Sequence, residues 1–178
     1  MDCLSLIEKY YDKDSVAYPI LVAHSKEVCE KAMEILKNHP ELNANAELVH
    51  DGAMLHDIGI LHTNAHKIGC YGKEHYIMHA FRGAEMLRRE GLEKLALIAE
   101  RHTGTGITKE EIIRRKLPIP IKDMIPVSIE EEIVCFADKF FSKVHIGTPY
   151  TKEVAIQKLE PYGREGVERF LNWCSRFL

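Results

Sequence analysis

Apolar residues return every three or four positions along most of this chain, and no stretch of useful strand length alternates. That spacing gathers side chains on one face of a helix. Between Pro19 and Asn38 the stripe is Leu21, His24, Val28, Ala32 and Ile35. A second helix is predicted from Asn45 to Ile58, with Gly59 as its C-terminal stop. A polar loop carrying His and Gly follows, from about Leu61 to Lys73. Further helices cover about His75 to Arg89, ending at Gly91, and Leu92 to about Thr103. Thr108 stands three before Glu111 and Ser128 three before Glu131, the spacing of a capping box at a helix start. Pro118, Pro120 and Pro126 lie between them and predict an ordered loop, because proline lacks the donor a helix interior needs. The helix from Ser128 carries Val134, Asp138 and Phe141 on one side. Helices at about Thr151 to Leu159 and Gly163 to Phe177 end the chain. The expectation is an all-α single-domain helical bundle over residues 1–178, with its chemistry within about 20–145 and the helices of 150–178 packed on it.

Composition narrows the function classes. The 178 residues fit one ordinary domain. A net charge of −3 lacks the basic footprint of a dedicated nucleic-acid binder, so a small charged substrate needs local cations. Five cysteines, odd in number and without a CxxC pair, predict a reducing, cytoplasmic setting rather than a disulfide framework. No run approaches the roughly 18 apolar residues of a membrane span. The apolar residues of the last helices, Trp173 among them, read as core or as a homodimer contact.

Several polar side chains fall on faces that should point inward. His24 lies in its helix's apolar stripe, and His102 follows Leu95 and Ile98 by seven and four positions. His79 shares a side with Tyr76, Gly83 and Met86, while Asp138 lies between Val134 and Phe141. An isolated buried carboxylate costs several kcal/mol unless a cation or partner compensates it. Four helices sending such groups inward point to one shared metal centre, since imidazole with carboxylate suits Zn, Fe, Mn or Ni. In Met54-Leu55-His56-Asp57-Ile58-Gly59 the adjacent pair diverges by about 100°, so His56 can face one metal while Asp57 reaches a second or bridges both. His50-Asp51 repeats the dipeptide, but its place well inside the helix reads as surface or as support behind the ligands. His62, His66 and His75 read as lining a solvated loop or pocket mouth, and His39 and His145 as surface.

The ordered set His24, His56-Asp57 and Asp138 (in Phe136-Ala137-Asp138-Lys139) resembles the H…HD…D signature of the HD superfamily, and His56-Asp57-Ile58-Gly59 is similar to its HDIG subgroup. His79-Ala80-Phe81-Arg82-Gly83-Ala84-Glu85 and Arg101-His102-Thr103-Gly104 look like the extra histidine segments of binuclear members. The resemblance implies a helical domain binding one or two divalent transition metals (Fe, Mn, Co, Ni or Zn) and hydrolysing a phosphoester, often of a nucleotide. It makes His24, His56, Asp57 and Asp138 the shared site, Asp57 the bridging and catalytic carboxylate, and His79 and His102 the ligands completing a second metal position. Many binuclear relatives carry Lys three residues after the motif Asp; here Ile60 stands there. Lys67, Arg82, Arg101, Lys139 and Lys143 are the candidate replacements for contacting substrate phosphate. The resemblance leaves two rivals: a di-iron oxygenase similar to inositol oxygenase, and a nucleotide-binding sensor module without turnover.

Overall fold

The computed structural model describes residues 1–178. Nine helices follow in order: α1 (Cys3–Tyr10), α2 (Ala17–Asn38), α3 (Ala46–Leu55), α4 (Met78–Arg89), α5 (Glu93–Arg101), α6 (Lys109–Arg115), α7 (Ile129–Asp138), α8 (Lys152–Leu159) and α9 (Arg164–Phe177). The fold is therefore all-α, with one antiparallel pair of two-residue strands, Asn64–Ala65 and Cys70–Tyr71.

The helices that carry chemistry form the centre of the bundle. Helix α7 packs against α2, α3 and α5, and α4 packs against α5 and the 3-10 turn Ile58–His62. Leu21, Val28 and Ala32 of α2 meet Val49, Ala53 and Leu55 of α3 and Ile133, Val134 and Phe136 of α7 in one core, all fully buried. That core runs from Ile7 of α1 to Phe170, Trp173 and Phe177 of α9, so these C-terminal apolar residues are interior, whereas Leu171 and Leu178 are exposed. Phe136 is the hinge of that contact, its ring 5.2 Å from Phe170 and 5.3 Å from Phe177. A smaller cluster of Ile107, Ile112, Ile119 and Met124 sits beneath the proline loop.

Both predicted caps form, each by half. The Glu111 and Glu131 amides donate to the side-chain oxygens of Thr108 and Ser128. Neither glutamate completes the reciprocal bond: Glu111 takes Arg115, and Glu131 takes Arg101 and the Val127 amide.

Several boundaries shift. Helix α3 ends at Leu55 rather than Ile58, and the chain tightens into 3-10 geometry from Ile58. Gly59 is not a left-handed stop, since its φ is not positive. It is needed for closeness: a Cβ there would lie 2.2 Å from the His79 carbonyl oxygen and 2.3 Å from the Gly83 amide nitrogen. Helix α4 begins at Met78 rather than His75, and α5 ends at Arg101. Helix α1, absent from the sequence reading, is capped by Asp2, whose carboxylate accepts from the Ser5 amide.

Candidate metal centre

The six predicted ligands converge from five segments: His24 from α2, His56 and Asp57 from the turn after α3, His79 from α4, His102 just past α5, and Asp138 at the end of α7. They form two groups that share one residue, His24, His56, Asp57 and Asp138 on one side and Asp57, His79 and His102 on the other.

Asp57 divides its oxygens between them. Its Oδ2 lies 3.2 Å from His24 Nε2 and 3.1 Å from His56 Nε2. Its Oδ1 lies 3.4 Å from both His79 Nε2 and His102 Nε2. Asp138 Oδ1 closes the first group, 3.1 Å from His24 Nε2 and 3.6 Å from His56 Nε2. Despite these short separations, no hydrogen bond joins His56 Nε2 to either carboxylate, and Asp57 Oδ1 has no hydrogen-bond partner. Donors about 2.1 Å from a metal and at right angles to one another stand about 3 Å apart, so the spacing fits ligands around cations.

The histidines give a second and sharper test. His56, His79 and His102 each donate Nδ1–H to a backbone carbonyl three residues back, at Ala53 (2.7 Å), Tyr76 (2.6 Å) and Ala99 (2.7 Å). This bond fixes the tautomer and aims the Nε2 lone pair inward, as metal-ligating histidines do. His79 Nε2 and His102 Nε2 consequently face each other 3.1 Å apart. Two neutral rings in that arrangement present lone pair to lone pair, a repulsion that a cation relieves. Burial keeps both rings neutral, depressing the pKa of His79 to about 3 and lowering that of His102. The donor set thus fits divalent metal.

The local field favours anionic carboxylates. Burial pushes Asp57 and Asp138 up, but Lys143 and His56 beside the first, and Lys139 and His24 beside the second, outweigh it and hold both well below the ordinary range. Burial likewise opposes charging of His56, yet Asp57 and Asp138 outweigh it and raise its pKa to about 9. Lys143 Nζ is in direct contact with Asp57 Oδ2. Lys139 Nζ lies 2.7 Å from Asp138 Oδ2 and donates to the His102 carbonyl.

Two clefts meet at the centre. One, of about 780 Å³, exposes Asp138 beside Lys67, Lys139, Lys143 and Lys158. The other, of about 840 Å³, exposes His79 and is walled by Thr103, Ile107, Arg114 and Arg169. Tyr76 and Tyr162 line both. The candidate phosphate contacts therefore separate. Lys67, Lys139 and Lys143 line a cleft, whereas Arg82 is held by Glu74 and Glu85, Arg101 by Glu131, and neither reaches a cleft wall.

Sequence reasoning missed Lys158, which the chain reversal after α7 brings back, and gave Tyr76 no role. Tyr76 stacks on His79 at 4.6 Å and lies under Lys143; its place three residues before His79 was the available signal. Ile60 is fully buried, and the cation nearest Asp57 is Lys143 instead. His66 lines the lysine cleft and His75 the other, as a pocket-mouth reading expects, and His62 lines neither. The His50-Asp51 pair belongs to neither group; His50 is half exposed and Asp51 is buried.

The fold is that of HD domains. The family model for the HD domain matches residues 21–142, a span that contains all six residues, and the chain belongs to that family. An uncharacterized protein of Methanocaldococcus jannaschii is 46% identical over 122 residues, covering 66% of this chain and 64% of that one. Two proteins named tRNA (cytidine(56)-2'-O)-methyltransferase are also similar. That of Thermoplasma volcanium is 36% identical across 93% of this chain and 41% of its own length, and that of Picrophilus torridus 38% identical across 73% and 34%. The chain thus spans less than two thirds of each of these relatives. Among solved structures, the HD domain of the Listeria monocytogenes phosphodiesterase PgpH matches with a TM-score of 0.55, over 95% of this chain and 93% of that one, at 17% identity. That likeness is one of fold.

Proposed function

We propose that the protein is a metal-dependent phosphohydrolase cleaving a phosphoester or phosphoanhydride of a small phosphorylated molecule, with nucleotides as the first substrate class to test. The observation that carries the reading is the split Asp57 carboxylate, one oxygen toward each histidine group, with the opposed lone pairs of His79 and His102. His24, His56, Asp57 and Asp138 would hold one divalent ion, and Asp57, His79 and His102 a second. Bound there, divalent ions acidify water to supply a hydroxide and offset charge on phosphoryl oxygens.

The chain's own residues supply the rest. Lys143 and Lys139, beside the two ligand carboxylates at the cleft floor, orient the substrate's phosphate through charge-assisted hydrogen bonds. Lys67 and Lys158 extend that cationic wall outward. Tyr76 packs flat on His79 and holds the ring against the centre. Burial of Asp57, His56 and His24 excludes bulk water from the ligand side, so the fixed charges act at low dielectric.

Two relatives named tRNA methyltransferases contain a segment like this one, which supports including nucleotides and RNA terminal phosphates in the screen. The test is elemental analysis of purified protein, then phosphate release from a phosphoester and nucleotide panel with Mn, Fe, Co or Ni. Stoichiometric metal and turnover are expected, both abolished in Asp57→Ala with helix content retained. Metal-free protein silent on the whole panel would overturn the reading, and tight nucleotide binding without turnover would favour a sensor.

A further inference from the structure

A second group of metal-competent side chains lies where α1 meets the middle of α3. Cys3 of α1 and His50 and Asp51 of α3 bring a thiol, an imidazole nitrogen and a carboxylate oxygen within 4.8 Å of one another. Cys3 Sγ is 3.2 Å and His50 Nδ1 2.9 Å from the same Asp51 oxygen. Cys3 and Asp51 are buried, while the His50 side chain is half exposed and gives access. A cavity of about 340 Å³ opens over Cys3 and His50 and is lined also by Cys29 and Lys26. The chain's amino group covers the other Asp51 oxygen at 3.1 Å.

From this geometry we infer that Cys3, His50 and Asp51, with Cys29 or solvent completing the shell, bind a borderline-soft divalent cation of the zinc type at a site separate from the HD centre. The donor chemistry is what distinguishes it. Thiolate with imidazole selects zinc-like ions, whereas the HD centre offers only imidazole and carboxylate. Zinc at about 2.0–2.3 Å from each donor sets donors roughly 3.3–3.7 Å apart, so the two contacts to Asp51 need to open by only a few tenths of an ångström. Binding displaces the thiol proton to solvent. The ion would tie α1 to α3, two elements otherwise joined here by hydrogen bonds and the packing of Ile7.

Cobalt(II) titration of the metal-stripped full chain tests this without reference to activity. Only a thiolate ligand gives a sulfur-to-cobalt charge-transfer band in the near ultraviolet, and no cysteine belongs to the HD set. The expected result is that band, saturating at one ion per chain at micromolar cobalt and displaced by zinc. It disappears in Cys3→Ser and weakens at least tenfold in His50→Ala, while the remaining cobalt count is unchanged. His50→Ala alters a half-exposed side chain, so it decides the matter if the cysteine variant fails to fold. Absence of the band in the parent chain, a band untouched in His50→Ala, or binding only at millimolar cobalt would each overturn the inference. None of these results bears on the HD centre, whose ligands are different residues.

Discussion

Replacing Gly59 by alanine puts the geometry of the centre to a direct test. The added Cβ would stand 2.2 Å from the His79 carbonyl oxygen, 2.3 Å from the Gly83 amide nitrogen and 2.8 Å from Gly83 Cα. Ordinary contacts need about 3.5 Å, so α4 must retreat from the Ile58–His62 turn by roughly 1 Å. All three obstacles are backbone, which a rotamer change cannot relieve. Overpacking of that kind costs about 3 kcal/mol, corresponding to roughly 6–12 °C in Tm for a chain of this length. The displacement is also directional. Helix α4 carries His79, whereas His24, His56, Asp57 and Asp138 are held by other elements. The second ion should therefore weaken on the order of 100-fold, as when a ligand's supporting contacts are lost, with the first nearly unchanged. Calorimetric metal titration beside thermal melts reads both effects. Gly91→Ala is the control: it also strains the backbone, at φ 75°, but its Cβ meets nothing, so it should lower Tm modestly and leave both metals bound. Full occupancy of both sites in Gly59→Ala with an unchanged Tm would refute the close-approach argument.

Other substitutions separate binding from architecture. Lys143→Met should raise KM for a phosphorylated substrate on the order of tenfold or more, through the lost charge-assisted bond, while metal content stays the same; an unchanged KM removes Lys143 from the substrate site. Arg82→Gln should leave KM alone and cost about 1 kcal/mol, because its guanidinium serves Glu74 and Glu85, and steady-state kinetics with a denaturation curve check both. In Glu100, burial raises the pKa but Arg88 and Lys122 outweigh it and bring the carboxyl below its ordinary 4.5. A folded pKa below the unfolded one means that this contribution is complete above 4.5 and fades as pH falls through the lower folded value. Melting curves from about pH 6 to 3 should thus lose less stability in Glu100→Gln than in the parent, and parallel losses would exclude Glu100 as a source of acid sensitivity.

Sequence spacing carried the central helices and the inward-facing His and Asp residues because both depend on local order. The stripe from Leu21 to Ile35 is a one-helix property, and so are the caps at Thr108 and Ser128. His56-Asp57 was legible as a diverging pair, although the backbone achieves this at a helix end rather than inside a helix. Long-range pairing was not legible. Nothing near Arg101 in sequence indicates that Glu131, 30 residues away, claims it, or that Lys143 returns to Asp57. Gly59 shows the same limit: a glycine after a helix reads as a turn residue until the partner backbone of α4 is in place. Helix α1 was missed because it is short and its partner, Asp51 of α3, lies 48 residues on.

The uneven burial of the six ligands also has a kinetic meaning. His24, His56, Asp57 and His102 line neither cleft, and only His79 and Asp138 reach a wall. On the Asp138 side that wall is studded with Lys139 and Lys143, so an ion in transit meets like charge before it meets a ligand. An ion held on that side would then exchange slowly with the medium. A brief treatment with chelator would report its rate of escape rather than the strength of its binding.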